Sequence, residues 1–319
     1  MMKQKLVVLL ALSLLAPLHV SGNPGGVGNG LENMQCGGAC HGDANQNATS
    51  NLQLSLQQSG TVWVGQPAEI TVQITGFDTS HSIDQIGIFL LSSTNANGDI
   101  PTTDGWSILS DGMGGSNNYI EYASIDSTTL THAWILRADQ IGEKTLYVSV
   151  HHGDNSGSDA GSPFFGVSQA FSVTVEPIPE NLQRINPDYE PPTSREIGQS
   201  TNLCLETIAT SDVVIEWREP SGQAVQLETT QNNGCWQAEL PSALTASAIE
   251  WRAILDGEGP QQTTPWFSLT SVEPTWEADE TALLLQSIAH LVLFFGLVLL
   301  VRKPKQNEDE FKQYVEENI

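Results

Sequence analysis

Ala68-Glu69-Ile70-Thr71-Val72-Gln73-Ile74 alternates apolar and polar side chains without a break. Successive side chains point to opposite faces only in an extended chain, so this period reads as a strand with one buried face. The same pattern, or a short apolar run, returns at Leu52–Leu56, Ile86–Leu91, His132–Leu136, Thr145–Val150 and Ala170–Val175, each bounded by Asn, Gly, Asp or Ser. Almost no ten-residue stretch in the body of the chain carries a helical stripe. Residues 52–176 are therefore expected to form an antiparallel β-sandwich, with Trp134 packed between its sheets.

Further along, Glu176-Pro177-Ile178-Pro179 and then Pro187, Pro191 and Pro192 lack ladder donors, so residues 177–197 are expected to be a semi-rigid linker. A second β module is expected over 198–272, with strands near Thr201–Glu206, Val213–Arg218, Cys235–Glu239 and Ile249–Leu255. Cys204 and Cys235 lie 31 residues apart with Trp217 between them. That arrangement is compatible with an immunoglobulin-like sandwich cross-linked by a Cys204–Cys235 disulfide. The fold class is all-β: two β-sandwich domains plus one C-terminal transmembrane helix.

Both ends read as membrane signals. Residues 1–22 have Lys3 and Lys5, an apolar run from Leu6 to Leu15, and Val20-Ser21-Gly22 as a small-residue cleavage site, the layout of an export signal. Residues 281–301 contain no Asp, Glu, Lys or Arg and are followed by Arg302, Lys303 and Lys305. Such a stretch is long enough to span a bilayer, and the cations hold its far flank in the cytoplasm. The expected protein sits in the cell membrane as a single-pass chain, extracytoplasmic up to a stalk at 273–280, with a cytoplasmic tail at 302–319. Within the span Gln286 and His290 share a helix face, as a helix–helix contact would need, although a span polar enough to tolerate them explains the same residues.

The net charge of -25 lies almost wholly outside the membrane. Residues 23–280 hold six cations (Arg137, Lys144, Arg184, Arg195, Arg218, Arg252) against 32 carboxylates. Such a surface repels phosphate backbones, which excludes nucleic acid as a partner. The chain has no G-x-S-x-G, H-E-x-x-H or phosphate loop, so no enzyme activity is expected. The expected partners are the membrane bilayer and an unidentified surface or protein ligand.

A Gly-rich leader, residues 23–51, carries Cys36-Gly37-Gly38-Ala39-Cys40-His41. With one residue fewer this would be C-x-x-C-H, in which two thiols bind the porphyrin of haem c and the histidine ligates iron. The alternative is a short-loop disulfide from Cys36 to Cys40, in an oxidising compartment. If haem is attached, His41 is the proximal ligand, and Met113, His81, His151 and His152 are the choices for the distal one. A further reading takes His41, His151 and His152 as copper or zinc ligands. Exposed loop-edge positions are the readier account of the last two. Asp154, Asn155, Ser156 and Asp159 form an oxygen-rich loop open to calcium or to plain turn chemistry. Asn47-Ala48-Thr49 is an N-glycosylation sequon.

Taken together, Gly25–Gly42, Pro67–Thr75, Gln85–Ser93, the strand around Trp134 and Lys144–Val150 before Asn155-Ser156-Gly157 resemble a reeler-like domain of the bacterial choice-of-anchor V type. The resemblance covers about Gly25 to Val175. It implies an extracytoplasmic β-sandwich, held at the surface by a C-terminal anchor and able to carry a haem. This chain departs from that pattern in the longer step between Cys36 and Cys40, and in Gly87-Ile88 where the family has Gly-Phe. The function expected is a surface binding or adhesion module; the alternatives are a membrane-tethered monohaem electron carrier and an extracytoplasmic metal-binding protein.

Overall fold

The computed structural model describes residues 48–77, 83–94, 100–125, 127–152, 164–274 and 280–301. Residues 48–176 form the first sandwich. One sheet has four strands, β2 (Gln53–Gln58), β4 (Pro67–Thr75), β8 (Thr129–Ala138) and β6 (Trp106–Ser110), hydrogen-bonded in that order. The other has seven and is built around β9 (Gly142–His152). On one side β9 pairs with β5 (Ile83–Leu91), which pairs with β7 (Tyr119–Ile125). On its other side it pairs with β10 (Phe164–Val167) and β11 (Phe171–Glu176). The short strands β1 (Ala48–Thr49) and β3 (Val62–Trp63) add in parallel to β10 and β11.

The alternation of β4 becomes the core. Ala68, Ile70, Val72 and Ile74 are buried while their neighbours are half-exposed. Trp134 on β8 stands opposite Ile70 in register, is fully buried, and donates from Nε1 to the Asn117 carbonyl at 2.9 Å. That bond satisfies the one polar atom of a side chain otherwise wholly committed to the core.

The second sandwich begins earlier than residue 198. Residues 177–197 contribute β12 (Arg184–Ile185) and β13 (Ser194–Glu196). Leu182, Gln183, Ile185 and Arg195 are buried there, so the Pro-rich stretch is built into the module instead of spacing it from the first. β12 pairs with β15 (Thr207–Ile208). β13 lies parallel to β22 (Phe267–Val272), and that sheet continues through β20 (Ser247–Asp256) to β16 (Asp212–Arg218) and β17 (Val225–Gln226), with β21 (Gln262–Thr263) also on β20. Facing it are three strands, β14 (Thr201–Leu205), β19 (Cys235–Leu240) and β18 (Thr230–Asn232). Trp251 and Phe267, with ring centroids 4.8 Å apart, fill the space between these sheets; Trp217 is only half-buried.

The two sandwiches share buried contacts. Leu109 and Ile135 of the first belong to the hydrophobic cluster of the second. Gln66 Nε2 donates to the Ile185 carbonyl at 3.0 Å, and Arg137 donates to the Tyr189 carbonyl at 3.0 Å while bridging Glu190 at 2.6 Å.

Described by itself, α1 (Glu280–Val301) is a helix of 22 residues. Counting described side chains alone, no helix is long and apolar enough to cross a membrane. Those of α1 are nonetheless apolar and exposed for most of its length, including Leu284, Val292 and Leu299. Gln286 and His290 are exposed on it, and Ser287 Oγ donates to the Leu283 carbonyl at 2.8 Å.

Candidate functional site

The residues singled out in the leader, Cys36, Cys40, His41 and Asn47, lie outside the described residues, as do His81 and the oxygen-rich loop from Asp154 to Asp159. His151 and His152 close β9, between β5 and β10. They are not the exposed loop-edge residues their position suggested: His151 is 2% exposed and His152 8%. The strand continues to His152 and is covered on both faces. His152 stacks on Phe164 with a 5.3 Å centroid separation, and its Nε2 lies 2.9 Å from Ser50 Oγ. His151 meets Phe165 edge-on from the other face. Among the described residues no group of three His, Cys, Asp or Glu is gathered as a metal site.

The sequence motifs missed a polar network inside the first sandwich. Asp111 follows β6 and is 2% exposed. Its Oδ1 accepts from the Met113 and Gly115 amides at 2.9 Å each, and its Oδ2 from the Asn117 amide at 3.1 Å. A loop of sequence Asp111-Gly112-Met113-Gly114-Gly115-Ser116-Asn117-Asn118 is thereby wound around one carboxylate. Its glycines are required. A Cβ on Gly112, at φ +73°, would lie 2.9 Å from His132 Cε1, and one on Gly115 would lie 2.6 Å from Asp111 Oδ2.

His132 on β8 locks this loop to the sheets. Its Nε2 lies 2.7 Å from the Asp111 carbonyl and its Nδ1 2.8 Å from Tyr122 Oη. A carbonyl only accepts, so Nε2 carries the proton and Nδ1 accepts from the tyrosine. Burial is the main force on the ring, lowering its pKa from 6.5 to about 4 against the opposing pull of Asp111. Burial likewise pushes Tyr122 up to about 12. At neutral pH both groups are uncharged, so the network positions a loop.

That loop reaches the second sandwich. A Cβ on Gly114 would lie 2.8 Å from Thr270 Cβ on β22. Thr270 points away from the core on the sheet face that also carries Glu216 and Arg218 of β16 and Glu250 and Arg252 of β20. Opposed across the ladder, these four form two ion pairs, Arg218–Glu250 at 2.6 Å and Arg252–Glu216 at 2.8 Å. Trp266, just before β22, lies against both cations: the guanidinium carbons of Arg218 and Arg252 are 4.0 and 4.3 Å from its ring centroid. Two of the six cations between residues 23 and 280 thus lie against one indole, and their charge is matched by glutamates. The result is a locally neutral aromatic patch; Thr270, which Gly114 approaches, lies four residues further along the same chain, and Met113 on that loop is 43% exposed.

Cys204 and Cys235 are disulfide-bonded, with Cα atoms 5.3 Å apart. The bond does not tie the two sheets together. Cys204 stands opposite Gln237 on β19, and Cys235 is two residues along the same strand, so the bridge runs diagonally between adjacent strands on the outer face of the three-stranded sheet.

No protein-family model matches this sequence, and no curated protein does. Among solved structures, the cohesin module of a family 33 glycoside hydrolase from Clostridium perfringens aligns over 41% of this chain and 100% of its own, with 11% identity and a TM-score of 0.30. Dimeric latent PorU from Porphyromonas gingivalis aligns over 73% of this chain but 21% of its own, with 11% identity and a TM-score of 0.27. At that level of similarity neither neighbour bears on what this chain binds or does.

Proposed function

We propose that this chain is an extracytoplasmic binding module in which two fused β-sandwiches are held at a membrane by α1. The observation that carries the reading is the exposed apolar surface of α1. Moving each large aliphatic side chain out of water is worth about 1.5–3 kcal/mol, and a bilayer supplies the apolar medium. The span reading itself rests on the sequence, where residues 281–301 hold no Asp, Glu, Lys or Arg. Arg302, Lys303 and Lys305 follow it and favour the cytoplasmic side. The likeness of residues 25–175 to reeler-like surface domains supports the same placement.

Binding, not catalysis, fits the polar groups that are described. Both ring nitrogens of His132 are engaged in a buried scaffold. The accessible chemistry is the indole and paired guanidiniums at Trp266, suited to a ligand held by stacking and hydrogen bonds more than by net charge. The test of the tether is membrane fractionation of the full chain. Wild type should stay with the bilayer through an alkaline carbonate wash, and Leu291→Asp/Phe295→Asp should be released. Recovery of the wild-type chain in the soluble fraction would overturn the proposal.

A further inference from the structure

We propose that the Cys204–Cys235 disulfide is a thiol-exchange site, whose co-reactant is a thiolate that attacks Cys204. The two cysteines differ in access: Cys204 is an exposed residue, whereas Cys235 is 1% exposed. Cys204 also lines an open groove of about 610 Å³ on the outer face of the three-stranded sheet, with Asn202, Thr230, Gln237 and Glu239. A nucleophile entering the groove meets Cys204 first. Its sulfur forms a new S–S bond to Cys204 Sγ, the Cys204–Cys235 bond breaks, and the electron pair leaves on Cys235 Sγ as thiolate. A second thiol, attacking the mixed disulfide, or Cys235 itself, reverses or completes the exchange with no other oxidant.

One neighbour assists that step. Gln237 Nε2 donates toward Cys235 Sγ at 3.9 Å, a hydrogen bond for charge on the leaving sulfur that offsets part of the cost of its burial. Opening the bond also leaves the fold in place. Neither cysteine belongs to the hydrophobic cluster between the sheets. β14 and β19 remain joined by a ladder running from Thr201↔Leu240 to Leu205↔Trp236. A bridge between sheets, buried in the core, would have neither property.

The experiment exposes the folded full chain in detergent to reduced glutathione, then quenches with iodoacetamide and weighs the peptides bearing each cysteine. The expected product carries glutathione on Cys204 and carbamidomethyl on Cys235, formed at a rate within about tenfold of that in denaturant. Gln237→Leu should slow the native exchange several-fold while leaving thermal unfolding of the oxidised protein unchanged. A bridge that reacts only after denaturant is added, or glutathione found on Cys235, overturns the proposal. So does a Gln237→Leu rate equal to wild type combined with no adduct on Cys204. The readout is independent of whether α1 enters a bilayer.

Discussion

In the first sandwich, a seven-stranded and a four-stranded sheet bury Ile70, Ile74, Ile86, Ile88 and Leu136 completely, and enclose with them a hydrogen-bonded network of Asp111, Tyr122 and His132. In the second, the smaller of the two facing sheets has three strands, and two cross-strand ion pairs and a diagonal disulfide lie on the outer faces. The contrast teaches where each domain keeps its margin of stability. A broad core accommodates a buried polar network whose members hydrogen-bond one another. A thin one gains more from constraining the unfolded chain than from any added buried atom.

Three measurements break or sharpen that contrast. Trp134→Ala removes the largest fully buried side chain of the first sandwich and orphans the Asn117 carbonyl, so urea denaturation should show a loss of about 3–5 kcal/mol. Replacing both Cys204 and Cys235 by alanine opens a 31-residue loop, and the loop-entropy relation gives about 3.7 kcal/mol. Near-ultraviolet signals of Trp251 should report that loss, with the protein still folded at 25 °C. A loss seen equally in signals from Trp134 would mean the shared contacts make one cooperative unit. The third is pH. Folding depresses the pKa of His132 from 6.5 to about 4, so its contribution is complete above pH 6.5 and is lost as pH falls toward 4. At pH 5 the loss should be about 2 kcal/mol in wild type and absent from His132→Gln.

Where the sequence carries a period, the strands followed it. β4 and β20 fall where alternation places them, because nine or ten residues with one buried face leave little choice of register, whereas β9 runs on through His151 and His152 because it is buried on both faces there. β12 and β13 are two and three residues long and sit among prolines, where no period exists to be read. Their burial comes from tertiary neighbours. The Asp111–Tyr122–His132 network was hidden for a similar reason, since its members come from a loop and two strands of different sheets. The available signal was a histidine between apolar neighbours in a strand, together with an Asp-Gly-x-Gly-Gly turn. The Cys204–Cys235 pairing was legible from count and context, but its diagonal placement depended on the register of β14 against β19.

The parallel pairing of β13 with β22 has a mechanical consequence. These strands lie near the entry and exit of the second sandwich, side by side and pointing the same way, with Ser194 opposite Thr270 and Glu196 opposite Val272. Tension applied through the chain drags β13 toward the first sandwich and β22 toward the C-terminus. The load runs along the strands, so their hydrogen bonds are sheared together and not unzipped one at a time. Arg195, bonded to Ser271 at 3.0 Å across this pair, adds a side-chain rivet at the point of greatest stress.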